Sequence, residues 1–181
     1  MKNKLLIVSI LIALGFVCRL FDYPPNFSPL GAIAIFAGFF LARNRFFLVP
    51  IIILALSDIF LGFYDWRLMA SVYISFAFIG LIGLYLKKHY HWWAVGLGAL
   101  AGSLIFFIIT NLAFWLFGGF YSLNFAGLAS CFTLAIPFFK NTLLGDLFFN
   151  AVLFGIYALV PYLLKNRKSL SIPKIQDTIS K

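Results

Sequence analysis

Charge is what this 181-residue chain lacks most: only 10% of its residues are Asp, Glu, Lys or Arg, where a soluble domain carries about a quarter. Acidic side chains are rarest, numbering five. With 64% of the residues hydrophobic and a mean hydropathy of +1.04, there is too little polar surface to wrap a soluble globule. The composition is that of an integral membrane protein. Cysteine is nearly absent too. Cys18 and Cys131 form no CxxC pair, so neither a disulfide framework nor a zinc site is written here, and the role of Cys131 is left open. The sequence holds no nucleotide-binding loop and no HExxH motif, so ATP-driven work would need partner subunits, and no cofactor is expected.

The 14 basic residues outnumber the acids and give a formal charge of +9. They fall in short clusters between apolar runs rather than on a soluble domain. That placement excludes nucleic acid as the natural partner and fits charges that set membrane orientation and touch acidic lipid headgroups. The N-terminal run KNKLLIVSILIALGFVCRL has the outline of a secretory signal. Val17 before Cys18 fits a lipoprotein cleavage site poorly, and the apolar chain that follows favours a retained first transmembrane helix.

A helix needs about 20 apolar residues to cross the hydrocarbon layer. On that basis the sequence predicts an all-α, six-helix bundle with spans near 5–21, 28–42, 46–64, 68–86, 94–117 and 141–164. The membrane domain would be 1–164 and a basic cytoplasmic tail 165–181. Gly118, Gly119, Asn124 and Pro137 interrupt the apolar stretch 119–140, which reads as a long outer loop between helices 5 and 6. With both termini cytoplasmic, eleven basic residues lie inside and only Arg19, Arg67 and Lys140 outside. This is a clear positive-inside bias. Making 28–42 re-entrant, or 119–140 a seventh span, would reverse the basic C-terminal end.

In that frame the rare polar residues gather in the outer half. Asp58 lies about 9 Å in from its helix end at ~1.5 Å per residue, and Asp146 at a similar depth. Asn111 sits beside Thr110, and Ser71 and Ser75 enter the fourth span from the same side. Thr142, Asp146 and Asn150 recur at i, i+4 and i+8, on one helical face. A carboxylate in a span is costly and should face the bundle interior or a wet cavity. Two explanations stand. Asp58 and Asp146 could pair with Arg19, Arg67 or Lys140 and lock helices together, with Asn111 as an interhelical hydrogen bond. Alternatively Asp58, Asn111, Thr142, Asp146 and Asn150 line an outward-facing pocket. His89 and His91 fall on the cytoplasmic side, so no metal site is expected there.

Small residues recur every fourth position at Ala34, Gly38 and Ala42, and at Gly98 and Gly102. Such faces allow close helix packing within the bundle, or docking of a partner membrane protein. The segment 119–140, with Phe125 and Cys131 among its residues, is expected to be either a lid over the polar cluster or an interfacial anchor.

The stretches PPNFSPLGAIAIFAGFF, ALSDIFLGF, TNLAFW and IPFFKNTLLGDLFF together resemble an uncharacterised family of bacterial integral membrane proteins labelled as transport proteins. The resemblance runs from about residue 18 to 157. That label rests on likeness to the substrate-binding S components of energy-coupling-factor vitamin transporters. By resemblance, Pro24, Pro25, Asn26 and Phe27 form a motif at a pocket mouth. Ala34 and Gly38 lie on a face that docks a coupling subunit, and Asn111, Asn141, Gly145 and Asp146 lie at or near the pocket. Tyr23 departs from the histidine found in many members, so ligand chemistry at that position would differ.

The leading expectation is therefore a protein of the bacterial cytoplasmic membrane. It would capture or transport a small, vitamin-like organic solute, with an energising transmembrane and ATPase module as partner. A membrane scaffold whose aspartates only hold helices together is the alternative. An intramembrane aspartyl protease is a poor third, because its motif needs Gly-x-Gly-Asp where this chain reads Leu143-Leu144-Gly145-Asp146. The expectation is not an enzyme.

Overall fold

A computed structural model describes residues 2–21, 24–41 and 45–170, with side chains described for 4–21, 24–41 and 45–160. Tyr23, Ala42 and the tail beyond Leu170 lie outside the described residues. The described residues form six helices and no strands: α1 (Lys2–Leu20), α2 (Leu30–Phe40), α3 (Leu48–Leu61), α4 (Trp66–Leu86), α5 (Trp92–Phe117) and α6 (Phe125–Leu170). Three stretches, Trp66–Leu86, Trp92–Phe117 and Phe125–Val160, are long and apolar enough to cross a membrane, while α2 and α3 are shorter apolar helices. This is an all-helical membrane protein.

Successive helices run in opposite directions. We call the end where α1, α3 and α5 finish the upper end. Capping residues set several boundaries there. Asp65 accepts from the backbone N–H groups of Arg67 (2.8 Å) and Leu68 (3.4 Å) and so opens α4. Asn124 opens α6 in the same way, its side-chain oxygen accepting from Gly127 N–H at 2.8 Å.

That second cap corrects an expectation. The segment 119–140 is not a long loop; the α5–α6 connection is only 118–124, and α6 starts at Phe125. Asn124 begins the helix it was expected to break. Pro137 sits inside α6, where the lost backbone bond and ring clash are tolerated because neighbouring helices can re-satisfy the freed groups. Phe125 and Cys131 consequently belong to a helix and not to a loop. Phe125 is 84% exposed at the first turn of α6, and Cys131 is buried, its thiol directed at the Asn111 carbonyl oxygen 3.6 Å away on α5. The 119–140 segment merges with the predicted sixth span, so the alternation of helix direction is unchanged.

The second correction concerns α2. Its sequence, LGAIAIFAGFF, is apolar on every face, and Leu30 through Phe39 are all buried. A helix hydrophobic all round belongs in the interior, and α2 touches each of the other five helices. At 11 residues it is about 16 Å long, roughly half of a hydrocarbon core about 30 Å thick. Its lower part crosses α4 at very short range. A side chain on Gly38 would overlap the Gly80 carbonyl, and one on Gly83 would overlap the Ile35 carbonyl. Ala34 and Gly38 are buried against the chain's own α4 and so are not an open partner-docking face. Gly98 and Gly102 likewise face Ile82, Leu86 and Ile79 of α4. Below, Phe36, Phe39, Tyr90, Phe154 and Tyr157 form an aromatic cluster with ring centroids as close as 5.1 Å. Such pairs contribute ~0.5–1.5 kcal/mol each beyond burial.

Above α2 the chain is not helical. Phe27 N–H donates to the Pro24 carbonyl at 2.9 Å, closing a turn in which Asn26 takes φ 65°, a left-handed conformation that asparagine tolerates better than most residues. This segment lies along α6. Asn141 Nδ2 donates to the Pro25 carbonyl at 3.0 Å, and Gly145 lets Phe27 and Ser28 approach, since a Cβ there would stand 3.1 Å from the Ser28 nitrogen. The second predicted span is thus a short helix preceded by a turn.

Candidate functional site

The upper part of the bundle encloses a cleft with two lobes. The larger, about 360 Å³, lies between α1, the start of α2 and α4, and is lined by Arg19, Asn26, Phe27, Ser28, Gly31, Thr142 and Asp146 among others. The smaller, about 280 Å³, lies between α4, α5 and α6 and includes Ser71, Thr110 and Asn111. Asn26, Tyr64, Val72, Phe106 and Thr142 line both lobes, so the two lie side by side.

Asp146 forms part of the wall where α2 begins. It is 3% exposed and accepts a hydrogen bond from Ser103 Oγ at 2.7 Å and another from the Ala32 backbone N–H. Ser103 stands near the middle of the 26-residue α5, so the start of α2 sits deep in the bundle. Ala32 belongs to the first turn of α2, whose N–H groups have no partner within the helix. Pro29, at the helix cap, offers no side-chain bond. Asp146 therefore caps α2 from another helix, and its charge is favoured by the partial positive charge, about half an elementary charge, at a helix N-terminus. Gly31 is required at this contact, because a side chain there would overlap the carboxylate.

Asp58 is buried as well but does not line the cleft. Its Oδ1 accepts from Arg19 Nη2 at 2.7 Å, and its Oδ2 accepts from Tyr73 Oη at 2.9 Å. The expected ion pair with Arg19 is present, joining α1, α3 and α4. Tyr64, in the α3–α4 connection, lines the cleft beside Arg19. Burial raises its phenol pKa above the ordinary value; the Asp58 carboxylate adds to the rise and Arg19 opposes it. Its hydroxyl is therefore intact at neutral pH.

Of the residues predicted to bind solute, the structure places Asp146 and Thr142 in the larger lobe and Asn111 and Thr142 in the smaller, with Asn26 of the mouth motif in both and Phe27 in the larger. It leaves out Asp58, Asn141 and Asn150. Asn141 is spent on the Pro25 carbonyl. Asn150 lies one turn below Asp146, donating to the Asp146 backbone carbonyl at 2.8 Å. Sequence reasoning missed Arg19, Tyr64 and Gly31 as cleft residues, and Ser103 and Tyr73 as partners of the two acids. Arg19 did carry a signal, as a lone cation at the end of an apolar run. Tyr73 carried none, since a tyrosine in a span reads as apolar.

Among the described residues no group of three or more His, Cys, Asp or Glu could hold a metal ion. No curated protein and no solved structure matches the chain. Residues 1–170, every helix described above, match one family as a unit: the chain belongs to a family of unknown function, DUF6580.

Proposed function

We propose that this protein captures a small organic solute in the cleft, as a transport or substrate-binding component of a bacterial cytoplasmic membrane, with six spans, cytoplasmic termini and the cleft open outward. The observation that carries this reading is the cleft itself. A space of about 360 Å³ has a buried carboxylate and a half-length helix start in its wall. That volume lies within the ~300–1,000 Å³ of small-molecule sites, which are largely apolar with a few placed polar groups. Non-helical backbone at depth is tolerated in a membrane only where it is buried in protein or lines a cavity, and broken helices at mid-depth are a recurring way to build solute sites.

The likeness to energy-coupling-factor S components is consistent with this outline. Ala34 and Gly38 are occupied by α4, so a coupling module would have to dock elsewhere. A proteolytic role is disfavoured because such catalysis needs two carboxylates sharing a proton, and here Asp58 is neutralised by Arg19 away from Asp146.

Native mass spectrometry of the purified chain, wild type beside Asp146→Asn, tests the reading. A discrete added mass on wild type alone is expected. If neither protein carries a mass and the variant is markedly less heat-stable, the buried acids are structural and the scaffold alternative stands.

A further inference from the structure

The polar atoms around the cleft are unequal in kind. Thr142 Oγ1 donates to the Phe138 carbonyl at 3.0 Å, Thr110 Oγ1 to Phe106 at 2.7 Å, Ser71 Oγ to Leu68 at 2.7 Å, and Asn111 Nδ2 to Phe107 at 2.8 Å. Each of these side chains spends a hydrogen-bond donor on its own helix. What they retain is mostly acceptors: the lone pairs of three hydroxyls and the Asn111 amide oxygen, beside one remaining Asn111 N–H. Asp146 adds a carboxylate with about four acceptor sites, of which Ser103 and Ala32 occupy two. One turn deeper on the same face, the buried Asn150 Oδ1 has no partner.

The charge is unequal as well. Among the described residues the only ion pair is Arg19–Asp58, and it is self-compensating. The start of α2 offsets about half a charge of Asp146, and no side-chain cation reaches it. Phe27, Phe76 and Phe106 contribute rings to the same walls, and ring faces attract cations. The space is far larger than a bare ion requires.

Resting on the solute-capture reading above, we propose that the solute is an organic ammonium: a protonated amine on an apolar body. Its N–H groups meet Asp146 and Thr142, one turn apart on α6, and its body lies against the phenylalanines. An ammonium supplies what the Asp146–Thr142 side of the cleft lacks, a positive charge and several donors on one atom, since Arg19, which also lines the cleft, commits its charge to Asp58.

The test is calorimetric titration of the full chain in detergent with three matched probes: 2-phenylethylammonium chloride, 2-phenylethanol and 3-phenylpropionate. Wild type should bind the ammonium at least about tenfold more tightly than the other two, as a charge-assisted bond requires. Asp146→Asn should erase that preference. Thr142→Val, which keeps shape but removes the hydroxyl's acceptor together with its bond to the Phe138 carbonyl, should weaken ammonium binding several-fold and serves if the Asp146 variant fails to fold. Equal or tighter binding of the alcohol or the carboxylate overturns the inference while leaving solute capture standing. So does a preference that survives Asp146→Asn, or an equal response to sodium or potassium chloride alone. If no probe binds but wild type retains a mass, the presence or absence of an amine on that solute decides. No binding together with no retained mass overturns both readings.

Discussion

Asp58 and Asp146 are buried almost equally, at 1% and 3% exposure, yet the protein satisfies them by opposite means. Asp58 receives a full counter-charge from Arg19 and a phenol from Tyr73. Asp146 receives a hydroxyl, a backbone N–H and the end of a helix. The first arrangement is closed, since every charge has an answering charge and three helices are tied together. The second leaves acceptor sites and uncompensated charge beside a cleft. Burial alone therefore does not separate a structural carboxylate from one able to bind; the identity of its partners does.

Removing the counter-charge should break the Asp58 side hardest. Arg19→Ala leaves a buried carboxylate unpaired, and the loss should be about 3 kcal/mol, the low end of the range for breaking a buried pair because Arg19 keeps some contact with water. It should be visible as a large drop in thermal midpoint. The double change Arg19→Met with Asp58→Leu should recover most of that loss. A midpoint unchanged by Arg19→Ala would mean the pair holds nothing together.

Gly31→Ala strikes the Asp146 side without altering its charge. The new methyl must displace the carboxylate from the start of α2, at a cost of about 1–3 kcal/mol. Wild-type stability in this variant would place Asp146 away from the helix end. Smaller still is the stability effect of Asp146→Asn, about 1 kcal/mol or less, because only the charge–dipole part of the cap is lost. Thermal unfolding that falls as far as for Arg19→Ala would erase the contrast between the two acids.

The smallest effect is a pH dependence. Tyr64 holds its proton more tightly in the folded chain than in the unfolded one. Above the ordinary phenol pKa of about 10 the native state binds more protons, so stability falls as pH rises through that range. Tyr64→Phe should soften this alkaline loss in thermal unfolding followed between pH 9 and 11, and an identical slope would show that burial does not raise the Tyr64 pKa on folding.

Helical class and the grouping of Asp146, Thr142 and Asn111 were legible because polar atoms in apolar runs are costly and their depth can be counted along a helix. The partition of the acids was not. Whether Arg19 meets Asp58 or Asp146 depends on how helices are arranged in space, which depth does not encode. The α6 boundary misled for a local reason, since Asn124 is the cap that opens α6 and Pro137 is accommodated within it. The half-length α2 was hidden by its own composition. LGAIAIFAGFF reads as the middle of an ordinary span, and only Pro24, Pro25 and Pro29 hinted that the chain before it could not be helical.

That half-helix has a consequence for how the protein is made. Eleven apolar residues preceded by a proline-rich turn are too short to be inserted as an independent span, and the bare backbone of 24–29 cannot rest against lipid tails. Its partners are α4, which seats Gly38, and α6, which supplies Asn141 and Asp146. Both are synthesised later than α2 itself. The nascent segment therefore meets its last native partner only when the last helix has been made. The cleft is complete only once α6 is in place, because a chain truncated before Phe125 would lack the Thr142 and Asp146 wall.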